Sequence, residues 1–191
     1  MDRVTQQHLD NLHCNDTEQR YASFQYIIQL TQQPVDWAYD VWDDMLGLLK
    51  TGDNHQRAIA AQLLSNLAKR DPKKRMLKDL DQLLSVTKDK KFVTARHALQ
   101  SLWKVGIVNK ELQNKLIAGL SGRYEECIRE KNCTLIRYDI LEVFRKIYNE
   151  VHDDEIKNIS HALIETEKDR KYQKKYLRIW RDVLKAEKGK K

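Results

Sequence analysis

The same pattern of apolar and small residues recurs five times along the chain, at intervals close to the length of one helical hairpin. We call the position from which each copy of the pattern is counted the register position. After Arg57 the apolar and small residues fall three, four, seven and ten positions later, which is the spacing of one face of an α-helix. Arg20 and Arg137 begin the same pattern, and Phe92 and Gln173 occupy the matching position in two further copies. The steps between copies are 37, 35, 45 and 36 residues. Periods of this length at helical spacing predict stacked helical repeats.

The recurring register also predicts the core. If the hairpins stack, the apolar positions of successive copies must face one another between neighbouring hairpins. We therefore expect the following side chains to be buried at equivalent depths: Leu64, Leu67, Leu99, Leu102, Leu141 and Phe144.

Capping residues and helix breakers set the boundaries of the predicted helices. Asp53 can cap a helix, because its carboxylate accepts hydrogen bonds from the free backbone N–H groups of the first turn. Pro34 and Gly52 end helices, and Pro72 suits a first helical turn. The predicted helices cover residues 17–33, 35–50, 53–70, 73–87, 91–107, 109–119, 133–150, 154–167 and 170–187.

The segment 119–133 departs from the regular period, because it falls within the 45-residue step. Gly119 and Gly122 each weaken helix propensity by about 1 kcal/mol relative to alanine, so we expect the helix that begins at Asn109 to bend or end there. The extra residues would then bulge from the stack, either as a plain connector or as a functional loop.

The chain resembles HEAT-repeat proteins most closely at residues 53–89 and in the segment LIRYDILEVFRKI at 135–147, and the resemblance extends over roughly residues 16–187. It implies an all-α fold, a right-handed α-α superhelix of about four and a half hairpins forming one domain over residues 1–191. Alternate helices, beginning with 17–33, would form the outer layer, and the helices between them would line the concave face. HEAT-like proteins mostly bind other proteins, but one branch comprises DNA alkylpurine glycosylases.

Composition narrows the class of protein. No apolar run approaches the length of a membrane span, and the first residues contain no apolar stretch typical of a secretory signal. The three cysteines, Cys14, Cys127 and Cys133, form no CxxC motif and suggest no disulfide framework. We therefore expect a cytoplasmic protein that does not associate with membranes.

The net charge of +7 is unevenly distributed. Residues 1–50 contain three Lys and Arg against eight Asp and Glu, whereas the basic C-terminal helix and tail at 168–191 contain eleven against three. One polar arc of the last predicted helix collects positive charges at helical spacing, and such a strip can follow the phosphates of a polyanion. The candidate polyanion-binding residues are Lys171, Lys174, Arg178, Arg181 and Lys185. The alternative is a polar cap that keeps a terminal repeat soluble.

The second predicted helix has the opposite charge. Asp36, Asp40, Asp43 and Asp44 lie on or near one polar arc, with Trp37 at its edge as a candidate contact residue. This acidic arc is either a binding site for a partner or an ordinary solvated helix face.

Motifs for catalysis are weak. The chain has no phosphate-binding glycine loop, GxSxG, HExxH or zinc-spaced Cys/His set, so we predict no catalytic, cofactor-binding or metal-binding residues and no small-molecule substrate. The glycosylase branch implies a carboxylate beside the reacting sugar, but Trp37, the Trp that lies beside carboxylates, belongs to the acidic helix, whose charge has the wrong sign for approaching DNA. We predict a non-catalytic scaffold that binds a protein partner or a nucleic acid. The alternative is a DNA-binding protein related to the glycosylases.

Overall fold

The all-α prediction is confirmed. The computed structural model describes residues 1–188, with side chains through Leu184, and this range contains helices and no β-strand. No helix in it is long and apolar enough to cross a membrane. The α-helices are α1 (Arg3–Asn11), α2 (Thr17–Leu30), α3 (Ala38–Thr51), α4 (Asn54–Leu67), α5 (Arg75–Ser85), α6 (Phe92–Ser101), α7 (Trp103–Gly106), α8 (Lys110–Glu126), α9 (Cys133–Val151), α10 (Asp154–Glu165), α11 (Arg170–Leu177) and α12 (Arg181–Lys188).

The helices pack in two rows. In the first row, α2 contacts α4, α4 contacts α6, α6 contacts α9, and α9 contacts α11. In the second row, α3 contacts α5, α5 contacts α8, and α8 contacts α10. Helices that follow one another along the chain join the rows, as in the pairs α3 with α4, α8 with α9 and α9 with α10. Apolar side chains fill the space between these helices, as expected when each helix has one buried face.

The predicted core residues are buried. Leu64, Leu99, Leu102, Leu141 and Phe144 are fully inaccessible to solvent, and Leu67 is 2% exposed. The apolar spacing therefore identified the contact face of the first-row helices correctly.

The register arginines link successive hairpins. Nη1 of Arg20 donates to Oδ2 of Asp53 at 2.9 Å, and Asp53 also caps α4. Nε and Nη2 of Arg57 donate to the two carboxylate oxygens of Asp89 at 2.6 and 3.1 Å. Each arginine thus reaches an acid just before or at the start of the next first-row helix, which explains why arginine recurs at this position.

Where the register departs from arginine, a similar ion pair still joins the neighbouring first-row helices, but its acid lies inside the next helix. Phe92 occupies the register position in α6, and Arg96, one turn later, bonds both carboxylate oxygens of Asp139 in α9 at 2.7 and 3.0 Å. In α9 the register is restored, and Nη1 of Arg137 donates to Oε2 of Glu167 at 2.9 Å.

Several predicted boundaries are wrong. The helix expected to end near residue 119 continues to Glu126, and a 3-10 turn at Cys127–Arg129 follows it. Burial outweighs the low helix propensity of the glycines, because Leu120, Arg123 and Tyr124, which follow Gly119, are all buried. Gly119 serves close packing instead, since a Cβ there would lie 2.6 Å from Cδ1 of Leu84.

Three further differences concern the start of one helix, an additional helix and an interrupted helix. Pro72 lies in a turn, and α5 begins at Arg75, whose backbone N–H donates to Asp71 at 2.8 Å. Helix α1, capped by Asp2, was not predicted. The predicted helix 170–187 is interrupted by a 3-10 turn at Arg178–Trp180.

Candidate polyanion-binding surface

Caps and buried aromatic residues orient the last helices. Oδ1 of Asp169 accepts a hydrogen bond from the backbone N–H of Lys171 at 2.8 Å and so caps α11. Tyr176 and Trp180 are fully buried, and the Tyr176 hydroxyl donates to the carbonyl oxygen of Thr134 in α9 at 2.9 Å. Because these rings hold one face of the helices against α9, the opposite face is turned to solvent.

The predicted strip lies on that exposed face. The side chains exposed there are Lys171, Lys174, Arg178 and Arg181. The side chain of Lys185, the fifth predicted member, lies outside the described residues. The surface here forms an open depression of about 650 Å³, which contains three of the four exposed predicted cations. The residues that line it are Arg170, Lys171, Tyr172, Lys174, Lys175 and Arg178. We call Lys171, Lys174, Arg178 and Arg181 the basic strip.

The basic strip lacks counter-charges within the part of the chain whose side chains are described. Among the described side chains, no carboxylate forms an ion pair with any of its four residues. The neighbouring acid, Asp182, is engaged by Arg145 of α9, with Nη2 to Oδ2 at 2.7 Å and Nη1 to Oδ1 at 3.0 Å. The hydrogen bonds from Arg145 lower the pKa of the Asp182 carboxyl, so this acid stays ionised and turned towards α9.

Arginines in the preceding helices are arranged differently. Eight of them are in ion pairs with carboxylates: Arg20, Arg57, Arg70, Arg75, Arg96, Arg123, Arg137 and Arg145. None of the three arginines at 170, 178 and 181 is so paired among the described residues. Among the described residues, Arg3 and Arg129 also form no ion pair, so three of the five unpaired arginines are concentrated within residues 170–181.

Two of the four aspartates of the acidic arc form ion pairs with arginines, and a third is hydrogen-bonded to a histidine. Asp36 pairs with Arg70 at 2.8 Å, Asp44 bonds Nε2 of His13 at 2.8 Å, and Asp43 pairs with Arg75. The hydrogen bond from Arg75 lowers the pKa of the Asp43 carboxyl.

The other two residues predicted on that arc are placed differently from each other. Trp37 is half-buried against the core, so only part of its ring can contact a partner. Asp40 is exposed and has no ion-pair partner among the described residues. The structure therefore brings the five residues to one helix end but leaves only Asp40 with a free carboxylate.

The structure contains a second basic cluster, formed by Lys69, Lys104 and Lys146, which was not predicted from the sequence. Nζ of Lys104 in α7 is half-buried and donates to Oδ1 of Asn66 at 2.5 Å, with no carboxylate beside it among the described residues. Burial lowers the pKa of Lys104, and the nearby charges of Lys69 and Lys146 lower it further. Nζ of Lys146 also lies 6.0 Å from the centre of the Trp103 ring. The three lysines lie at 35- and 42-residue intervals, close to the repeat period, and that spacing was the available signal.

The described residues do not assemble an obvious catalytic or metal centre. No group of three or more His, Cys, Asp or Glu among them is placed to hold a metal ion. Trp42 is fully buried and its Nε1 donates to Oδ2 of Asp79 at 2.9 Å, so its ring serves the core, as does that of the buried Trp180.

Two comparisons with known proteins found no match for the chain. No protein-family model matches it, and no curated protein sequence matches it. The charge and shape of the described surface therefore carry the functional assignment.

Proposed function

We propose that this chain is a non-catalytic binding scaffold whose last two helices bind a polyanion, and that the preferred ligand is the phosphate backbone of a nucleic acid. The observation that carries the proposal is the basic strip, whose four cations lie exposed and without an ion-pair partner among the described residues. Displacing the counterions that such a surface collects makes binding to a phosphate chain favourable.

The spacing of the strip fits a backbone ligand. Lys171, Lys174, Arg178 and Arg181 follow one another at three or four residues, so their charges run along one side of the helices. Side chains that touch only phosphates fix position and carry no base preference. We therefore propose binding that depends on charge density and is indifferent to sequence.

The proposed scaffold is a HEAT-like right-handed superhelix. The two rows of helices support it, because each row continues through successive hairpins. The arginine links from Arg20 to Asp53 and from Arg57 to Asp89 support it too, because they join each hairpin to the next with the same chemistry.

The test measures affinity for a labelled DNA duplex and for heparin between 50 and 200 mM salt, concentrations on the order of those that separate strong from weak phosphate binding. If all four described cations engage phosphates, the logarithm of the affinity falls with the logarithm of salt at a slope of about −3.6, so affinity drops about 150-fold over this fourfold range. Changing the sequence of the duplex should leave the affinity unchanged.

Charge reversal with a matched control decides whether the basic strip is the site at which the polyanion binds. Lys174→Glu with Arg178→Glu should reduce the salt slope by about 1.8 and abolish binding at about 150 mM salt, because two of four phosphate contacts become repulsive. Lys78→Glu with Lys90→Glu changes the net charge equally on exposed side chains elsewhere and should leave most of the affinity intact. Equal losses in both double variants, or no binding by the wild type near 100 mM salt, would make the strip a solubilising cap.

A protein-binding adaptor is the second candidate, favoured by a groove between α2, α4 and α6. The groove has a volume of about 300 Å³, and Tyr21, Phe24 and Ile59 contribute its apolar surface beside His55 and His97. Tyr21 is 61% exposed, which is high for a large aromatic ring and typical of a contact residue. If the salt titration shows no polyanion binding, Tyr21→Ala becomes the variant for tests of protein partners.

A further inference from the structure

Two cysteines that the sequence places six residues apart meet inside the irregular segment. Sγ of Cys127 lies 2.8 Å from Sγ of Cys133, only about 0.8 Å farther than in a covalent disulfide. Both side chains are buried and both thiols are free in this structure. The third cysteine, Cys14, is part-exposed in the turn between α1 and α2.

Local structure holds the two sulfurs together. Cys127 begins the 3-10 turn that follows α8, and Cys133 is the first residue of α9. Arg123 closes the loop between them, because its guanidinium bonds both carboxylate oxygens of Glu130, at 2.5 and 2.8 Å. The pair is therefore fixed by the fold on both sides and does not depend on a chance encounter of mobile side chains.

We propose that Cys127 and Cys133 form a reversible intramolecular disulfide in the native fold when a small-molecule disulfide such as oxidised glutathione is present. This proposal is independent of polyanion binding. It also gives the segment 119–133 a role beyond that of a connector.

The exchange proceeds in two balanced steps. The thiolate of Cys133, which is 9% exposed whereas Cys127 is fully buried, attacks one sulfur of the small disulfide. This attack forms a mixed disulfide and releases one small thiol after proton uptake. Cys127 then loses its proton and attacks Sγ of Cys133, which forms the internal bond and releases the second small thiol. The two cysteine sulfurs supply the two electrons that reduce the oxidant.

Burial sets the order and the pace of these steps. Burial, together with the neighbouring Cys133 thiol, raises the pKa of Cys127 to about 12, while Arg137 and Arg123 act in the opposite direction. A thiol with a raised pKa attacks slowly at neutral pH, so Cys127 suits the second, intramolecular step, in which its target is already adjacent.

The disulfide would crosslink the end of α8 to the start of α9, where α11 packs against α9. Thr134, next to Cys133, accepts the hydrogen bond from Tyr176 of α11, and Nε of Arg137 donates to the carbonyl oxygen of Tyr124 at 3.0 Å. Closing a seven-residue loop removes conformational freedom from the unfolded chain. The melting temperature should rise by about 5 °C or more, provided that the native fold accepts the bond without distortion.

The test incubates the native full-length protein with oxidised glutathione, quenches with acid, then unfolds and alkylates it for intact mass analysis and peptide mapping. The expected product has lost two hydrogens, carries one alkyl group on Cys14 and contains a Cys127–Cys133 crosslink. Reduction with dithiothreitol should restore alkylation of all three cysteines. Three alkylated cysteines after oxidation, stable glutathione adducts without an internal bond, or a crosslink to Cys14 would overturn the proposal.

Two variants sharpen the outcome. Cys14→Ser should form the same crosslink and show the same rise in melting temperature. Cys133→Ala should form no internal bond, and if it fails to fold, peptide mapping of the wild type still identifies the crosslinked pair. A melting temperature that falls on oxidation contradicts the proposal, because the bond would then form only at the expense of the native packing.

Discussion

The link between Arg57 and Asp89 predicts a large effect of a single substitution, Arg57→Ala. Three hydrogen bonds would be lost, two to the carboxylate of Asp89 and one from Nη1 of Arg57 to the carbonyl oxygen of Gly52 at 2.7 Å. The Asp89 side chain is only 6% exposed with Arg57 in place, so its carboxylate would lose the guanidinium at a site where it has little contact with water. A nearly buried carboxylate would be left with a single backbone bond, from the N–H of Lys91 at 2.8 Å.

The magnitude follows from that stranded charge. Removing one partner of a well-buried ion pair costs about 3–5 kcal/mol, and the part of Arg57 that remains in water reduces this to about 2–4 kcal/mol. Asp89→Ala should cost less, because the arginine left behind is a quarter exposed and can be hydrated. The double variant should be more stable than the sum of the two losses predicts, with a coupling energy of about 1–3 kcal/mol.

Urea unfolding of the single and double variants gives these free energies, provided that the slope of the transition is unchanged. Arg70→Ala is the matched control, because Arg70 and Asp36 form an ion pair of similar length whose side chains are 56% and 90% exposed. The control should change the free energy of unfolding little. If Arg57→Ala destabilises the protein no more than Arg70→Ala does, the ion pairs of the register arginines do not stabilise the packing of one hairpin against the next.

The same pair predicts a pH dependence. Burial by itself would raise the pKa of Asp89, but hydrogen bonds from Arg57 and from the backbone N–H of Lys91 outweigh it, and the net shift is downward. A lowered folded-state pKa stabilises the protein above the unfolded value of about 3.9, and the contribution is lost as the pH falls through the folded value. The stability difference between wild type and Arg57→Ala should therefore shrink below about pH 4.

The remaining predictions test the core and the enzymatic alternative. Leu99→Ala should lower the free energy of unfolding in urea by about 2–5 kcal/mol, because Leu99 is fully buried in α6 between its row neighbours; a loss below about 1 kcal/mol would contradict this packing. The purified protein should release no alkylated base from methylated DNA above a buffer control. Base release that disappears in Asp40→Asn or Asp44→Asn would contradict the non-catalytic proposal.

The core could be predicted from the sequence because helix periodicity is a local property. Leu64 and Leu67 fall on one face of α4 whatever the rest of the chain does, and a helix with one apolar face must bury it. The end of α8 could not be predicted in this way. Whether a helix continues past Gly119 depends on what Leu120 and Tyr124 contact, and those contacts come from other elements.

The acidic arc shows the limit of a charge pattern. Its four aspartates lie on or near one polar arc of α3, but the residues that neutralise Asp36 and Asp43 are Arg70 and Arg75, more than thirty positions later. Nothing within the segment 35–50 signals those partners. A run of like charges in a sequence thus predicts a free charged surface only when no other element of the fold places oppositely charged side chains beside it.

That condition separates the basic strip from the acidic arc. In the first row, acids that bind Arg20 and Arg57 come from the start of the following hairpin. Among the described residues, no acid forms an ion pair with the cations of the basic strip: Asp169 accepts a hydrogen bond from the backbone N–H of Lys171, and Asp182 is bound by Arg145 of α9. The repulsion among the cations of the strip therefore persists in the folded chain. A bound polyanion would relieve it, which is why we propose ligand binding at the last helices rather than at α3.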